Sequence, residues 1–224
     1  MRRVLVLFAH PVLERSRVNR RLVDAIRGLP GVTVHDLYEV YPTLAIDVAR
    51  EQALLGEHDA VVFQHPFYWY STPAILKEWQ DLVLELGWAY GPGGTALRGK
   101  VTLNAISTGG PEAAYRRDGY NRFTVRELLA PWEQTAHLCG MRFLAPFVVH
   151  AALRVAGDAD LAARRAAYVR LIEGLRDDRL DLDRAQQAGN LADEVDGLLV
   201  REEVGSRADE RVQEGGARLG EEAV

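Results

Sequence analysis

The stretch Gln64-His65-Pro66-Phe67-Tyr68-Trp69-Tyr70-Ser71-Thr72-Pro73-Ala74-Ile75-Leu76-Lys77-Glu78-Trp79 decides the fold. It follows Asp59-Ala60-Val61-Val62-Phe63, an apolar run short and β-branched enough to be a buried parallel strand. It leads into a helix: Pro73 fits the first helical position, where a missing N–H costs nothing, and Ser71 or Thr72 can cap the orphan donors. Between Pro66 and Pro73 stand the aromatics Phe67, Tyr68, Trp69 and Tyr70. No single sheet face could bury all four, because successive strand side chains point to opposite faces. Aromatics in a loop at the carboxyl end of a parallel strand suit a flat ligand; the alternative is that they plug the top of the core.

Working outward, Arg3 to Ala9 reads as a first buried strand, and Val18, Leu22, Ala25 and Ile26 form one helical stripe over 17–28. Between them Ser16 can cap the helix, and the free amides of its first turn make an anion site; capping alone is the plainer reading. Val32 to Leu37 gives a second strand, followed by a helix through Val48, Gln52 and Leu55. After the central helix, which continues to Leu86, comes a glycine-rich loop to Gly94 and a fourth strand, Val101 to Ile106, ending in Ser107-Thr108-Gly109-Gly110. Paired glycines there favour positive φ and an inward-facing nest of N–H groups. Asn121 to Cys139 has helical spacing broken or kinked at Pro131, Met141 to Val149 supplies a fifth strand, and Ala159 to Leu175 a last helix. Five strands alternating with helices predict an α/β, flavodoxin-like three-layer sandwich whose parallel sheet has the order 2-1-3-4-5. The ligand site is expected where the loops after strands one, three and four converge.

The 224 residues suit one generous domain. The net charge of -5 is uneven: residues 177–224 carry 14 acidic and 6 basic side chains, whereas residues 1–176 carry 18 and 21. The chain therefore divides into a near-neutral body, 1–176, and an acidic tail, 177–224, expected to be partly disordered or one short helix through Leu191, Val195 and Leu198. No clustered basic face points to nucleic acid. His35 and His58 have no partner ligands in sequence and read as structural or surface residues, and with no H-E-x-x-H or cysteine pair no metal site is expected. The lone Cys139 excludes an internal disulfide and reads as a small buried side chain. Neither G-x-G-x-x-G nor a Walker lysine loop is present. No run approaches a membrane span, so the expected location is the cytoplasm.

Several separated segments together carry a resemblance: Trp69-x-x-x-Pro73-Ala74-Ile75-Leu76-Lys77-x-Trp79, Gly87-Trp88-Ala89-Tyr90-Gly91, His10-Pro11, Ser16-x-x-Asn19 and Thr108-Gly109-Gly110. Over residues 3 to about 175 the chain resembles the NAD(P)H:quinone oxidoreductase family of flavodoxin-like flavoproteins. Leu37-Tyr38, Tyr41-Pro42, Gln64-His65-Pro66 and the run Gly91 to Lys100 look most like the Kef-type ancillary subunits of glutathione-gated potassium efflux systems. The resemblance implies a flavin cofactor, FMN or FAD. FMN is preferred because the short loop after strand one leaves little provision for an adenosine half. By similarity, His10, Ser16, Arg17, Val18 and Asn19 would hold the phosphate and ribityl chain. Phe67, Tyr68, Trp69 and Tyr70 would flank the ring, and Ser107, Thr108, Gly109 and Gly110 would offer backbone donors to its polar edge.

The implied activity is two-electron reduction of a quinone by NAD(P)H through the flavin. Members of the family carry a tyrosine and a histidine shortly after the Thr-Gly-Gly turn. Tyr115 occupies the first place, whereas the second falls at Tyr120 or Asn121, so the candidate catalytic residues are Tyr115 and Tyr120 and no histidine relay is expected there. A phenol, with a pKa of about 10, can donate a hydrogen bond but is a poor base at neutral pH. The resemblance also implies a homodimer, and it supports a second role, as a regulatory subunit docked on a membrane potassium/proton antiporter at the inner face of the membrane. A one-electron carrier fits less well, because the body is mildly basic and the aromatic loop wide.

Overall fold

The computed structural model describes residues 1–200. In chain order the elements are β1 (Val4–Phe8), α1 (Asn19–Ile26), β2 (Val32–Asp36), α2 (Leu37–Val40), α3 (Val48–Gly56), β3 (Ala60–Pro66), α4 (Ala74–Val83) and β4 (Val101–Ser107). They continue with α5 (Val125–Leu128), α6 (Ala130–Leu138), β5 (Arg142–Phe143), β6 (Phe147–Val149), α7 (Asp158–Arg176), α8 (Leu182–Gln187) and α9 (Leu191–Leu198). All strand pairings are parallel in the order β2-β1-β3-β4-β5, as expected, and β6 also pairs with β4. The single expected fifth strand is two short pieces. Pro146 stands between them, has no N–H to give a ladder, and so divides the strand.

The three central strands are buried along their whole length, which is why they read as continuous apolar runs and not as alternation. Alternate residues still serve different layers. Val4, Val6, Val62 and Leu103 pack with α1 and α7, whereas Leu5, Leu7, Val61 and Phe63 pack with α3, α4 and α6. Pro73 sits differently from its expected place, and Pro131 marks the expected break, between α5 and α6. Pro73 is itself the N-cap of α4 with extended ψ of 147°, and no side chain caps that helix; Pro131 lies in the first turn of α6, where it starts a helix and kinks none.

His58 is no surface residue. It is 1% exposed, donates from Nδ1 to the Leu54 carbonyl at 2.7 Å and accepts from Thr33 Oγ at 2.8 Å. Cys139 is buried, and burial pushes its thiol up. His35 is structural: its Nε2–H donates to the buried carboxylate of Glu51.

The expected boundary at 176 does not coincide with the edge of the core. The acidic segment continues as two helices, not one, and Leu180, Ala185, Leu191, Val195 and Leu198 join the cluster built on α1 and α7. The acidic residues face outward and hide the apolar stripe from a composition reading; Arg164 pairs with Asp193 and Arg170 with Asp196. Gly174 leaves room for this contact: a Cβ there would lie 2.5 Å from the Leu199 side-chain methyl, which would have to move aside. The segment also covers the open side of β6. Asn190 accepts from the Val148 N–H at 2.8 Å and donates to the Val148 carbonyl at 3.1 Å, while Leu191 N–H donates to the Pro146 carbonyl at 3.0 Å. The remainder of the expected tail, 201–224, lies outside the described residues.

Candidate functional site

At the carboxyl ends of β1, β3 and β4 three loops enclose a crevice of 560 Å³. Its floor at one end is the segment from His10 to Asn19, its rim is Tyr68, Trp69 and Leu153, and its other end is Ser107, Thr108 and Gly109. This is the place a doubly wound sheet leaves open, because helices there diverge to opposite faces.

In the first loop Ser16 Oγ accepts from the Arg20 amide at 3.2 Å, so the hydroxyl does cap α1. The amides of Arg17, Val18 and Asn19 find no acceptor among the described residues, and the Arg15 and Arg17 side chains line the same end. Unsatisfied N–H groups, the positive end of a helix dipole and two guanidinium groups together favour a phosphate. Asn19 contributes its main chain only. Its side chain is turned inward, 1% exposed, and donates to Ser107 Oγ at 2.7 Å, while its own Oδ1 is buried without a partner. The Asn19 carbonyl accepts from Gln64 at 2.9 Å, and Gln64 accepts in turn from the buried Tyr168 hydroxyl at 2.9 Å. A chain of buried hydrogen bonds thus ties the His10–Asn19 end of the crevice to β3, β4 and α7. His10 accepts the Val12 amide on Nδ1, its ring stands edge-on to Tyr68, and burial holds its pKa below the usual histidine value, so it is a neutral imidazole at pH 7.

The aromatic loop divides. Phe67 is buried and tilts on Tyr115 with ring centroids 6.5 Å apart, so the core-plug alternative describes this ring alone. Tyr68 and Tyr70 are half-exposed and Trp69 is 92% exposed. Trp69 and Tyr70 hold φ of 51° and 60°, a left-handed conformation that costs a non-glycine residue about 1 kcal/mol or more. Exposing an indole on a strained turn is a poor choice for stability alone. Tyr70 O–H donates to Asn121, which joins this loop to the one after β4.

The turn after β4 differs from expectation. Neither Gly109 nor Gly110 takes a positive φ, and the Thr108 amide donates to the Val149 carbonyl, while Ser107 lies within the strand. Of the four expected donors only the Gly109 and Gly110 amides have no acceptor among the described residues. Tyr115 packs behind this turn, buried, with its phenol pKa raised by that burial. Tyr120 is not brought to the crevice: its loop folds back, with the Asn121 amide on the Ala114 carbonyl, and leaves the phenol 91% exposed.

Sequence reasoning missed His150, which follows β6, bonds Thr108 Oγ from Nδ1 at 3.0 Å and tilts on Tyr115 at 5.5 Å. The signal was its place just past a strand end, on the same edge as the other loops. It also missed Gln64 and Tyr168, whose partners are distant in sequence.

Residues 2–172 match the family described as having a flavodoxin-like fold. The chain belongs to that family. Among flavodoxin-like relatives, the glutathione-regulated potassium-efflux system ancillary protein KefG of Shigella flexneri is 49% identical over 166 residues, which cover 74% of this chain and 90% of that protein. The solved structure of general stress protein 14 from Treponema denticola in complex with FMN is 39% identical, with a TM-score of 0.68 over 82% of this chain and 99% of that one. An NADPH-quinone reductase from P. pentosaceus is 34% identical, with a TM-score of 0.68 over 75% and 96%. Helices α8 and α9 lie beyond the residues that match the flavodoxin-like family.

Proposed function

We propose that the protein is an FMN-dependent NAD(P)H:quinone oxidoreductase. The reading is carried by one observation: a crevice has unsatisfied amides at both ends, Arg17 to Asn19 at one and Gly109 at the other, where the free Gly110 amide follows in the same turn, with an exposed aromatic wall between them. The donor set fits a molecule with a phosphate at one end and an acceptor-rich flat ring at the other. The Arg17, Val18 and Asn19 amides with Arg15 and Arg17 would hold the phosphate, Tyr68 and Trp69 would flank the ring, and the two glycine amides would meet its N1–C2 edge. FMN supplies the chemistry of accepting two electrons from a nicotinamide and giving them to a quinone. The chain orients both partners on the aromatic wall and excludes water. Tyr115, kept protonated by burial, supports the Thr108–Gly110 turn from behind the crevice and is not a base. FMN is preferred to FAD, as neither end of the crevice offers aromatic stacking for an adenine. A homodimer is the expected assembly.

The test is direct. Purified protein titrated with FMN should quench its fluorescence, the bound flavin should bleach with NADH or NADPH, and a quinone should restore the colour. Protein that leaves FMN fluorescence unchanged at saturating concentrations would defeat the reading.

A second reading rests on 49% identity to KefG over nine-tenths of that protein's length. In it the chain is an ancillary subunit docked on a potassium-efflux antiporter. Co-purification of the full chain with the antiporter's cytoplasmic domain, repeated with a chain ending at 200 that keeps α8 and α9, tests that docking and the part residues 201–224 play in it.

A further inference from the structure

His150 lies behind the Thr108–Gly110 turn and not in the crevice itself. Three bonds pin the turn from that side: Ala151 N–H to the Gly110 carbonyl at 2.9 Å, Ala152 N–H to the Thr108 carbonyl at 2.8 Å, and the contact of 3.0 Å between His150 Nδ1 and Thr108 Oγ. The first two are main-chain bonds that any residue could make; the third belongs to the imidazole. Thr108 has a single hydroxyl proton, and it is donated to the Gly110 carbonyl at 2.9 Å. With that proton on the Gly110 carbonyl the imidazole donates from Nδ1, and Nε2 is the nitrogen that takes up a proton. Ala151, next in sequence, holds φ at 55°, a left-handed conformation that strains the backbone at this junction.

His150 also lines a second crevice of 520 Å³, bounded by Glu112, Tyr115 and Arg126 on one side and by Asn190 and Asp193 on the other. Half-burial lowers its pKa, the Glu112 and Asp193 carboxylates raise it, and Arg164 lowers it. The face toward the turn carries no charge, only Thr108 and the protonated phenol of Tyr115.

We propose that His150 is a positioning residue for the Thr108–Gly110 turn, aiming its two free amides into the crevice, and that its protonated form adds positive charge behind the edge where a bound flavin becomes negative on reduction. The inference rests on the FMN reading above. Acidification should then favour reduced over oxidised FMN through this one side chain.

The experiment measures binding of FMN and of dithionite-reduced FMN, anaerobically, at about pH 5 and about pH 8, the lower value chosen because burial holds the His150 pKa below the ordinary histidine value. Wild type is compared with His150→Asn, which keeps an N–H within reach of Thr108 but cannot titrate, and with His150→Phe, which keeps a ring and loses the donor. His150→Phe should weaken both forms by about threefold to tenfold, the worth of one hydrogen bond. His150→Asn should retain the affinity for oxidised FMN at both pH values and lose the additional preference that wild type shows for the reduced form at the lower pH. Should Phe not fold, the comparison of Asn with wild type carries the same test. Equal pH dependence in wild type and His150→Asn overturns the proposal. Absence of FMN binding by wild type overturns the flavin reading, and this inference with it.

Discussion

The indole N–H of Trp79 donates to the Glu51 carboxylate at 2.8 Å, and neither side chain meets solvent. Tyr41 O–H at 2.6 Å and His35 Nε2–H at 2.8 Å donate to the same carboxylate, so one acid on α3 gathers α4, β2 and the loop after α2. Replacing Glu51 by Gln keeps the shape but removes the charge and sets an amide N–H among three donors, of which the Trp79 indole can only donate and Tyr41 and His35 must turn or change tautomer to accept. The expected loss is about 2–4 kcal/mol in urea unfolding. A loss below about 0.5 kcal/mol, the range of ordinary surface changes, would show that the four groups are not acting together.

Acid should destabilise the protein in two steps. Burial takes the His65 pKa from 6.5 down to about 4, the neutral ring donating to the Pro66 carbonyl and accepting from Asn104. The unfolded chain therefore binds the extra proton first, and stability falls as pH drops from 6.5 to about 4, by about 3 kcal/mol from this residue. For Glu51 burial alone would raise the pKa, but its three donors outweigh that and hold it below the usual 4.5. Its contribution is complete above 4.5 and is lost as pH falls through the lower folded value. Urea midpoints across this range should show both steps in wild type and only the upper one in Glu51→Gln.

Trp69 separates binding from stability. Trp69→Gly removes an exposed ring and relieves a left-handed backbone, so the thermal midpoint should hold or rise slightly. FMN affinity should fall by about fivefold to tenfold, from the lost stacking contact. Unchanged affinity would mean that the ring faces away from the bound ligand.

Tyr168→Phe leaves the Gln64 carbonyl oxygen buried without its donor. The predicted cost is about 1–2 kcal/mol, with a weaker phosphate end as Gln64 loosens its hold on Asn19. Calorimetry on the apo and FMN-saturated variant reads the two effects separately.

A chain ending at 176 should be markedly less stable than the full chain. It loses Leu191, Val195 and Leu198 and uncovers Leu171 and Leu175. Each buried aliphatic side chain is worth about 1.5–3 kcal/mol. A thermal midpoint within a degree of the full chain would contradict the packing described for α8 and α9.

The sheet and its order were legible because β1, β3 and β4 are unbroken apolar runs, and the three loops were legible because they follow those runs. The role of Trp79 was half legible: its spacing in the motif showed, but its partner Glu51 lies 28 residues away on another helix. That Tyr120 stands away from the crevice and the Asn19 side chain turns inward was not legible, because a residue type does not reveal which way a side chain turns. His150 escaped notice because Thr108, the residue that gives it meaning, is 42 positions distant. After 176 the stripe of α9 was legible, but α8 and the packing of both helices on the core were not, because charge counts average over a surface and a stripe that point in opposite directions.

The amide of Asn190 gives Val148 the two bonds that an adjoining strand would have offered, and the main chain on either side occupies the neighbouring positions. Growth of the sheet past β6 is thereby closed: neither fibril-like stacking nor strand donation from another protein has a template on that margin. Whatever meets the molecule on this flank meets helices and side chains, and can be released without unzipping a ladder.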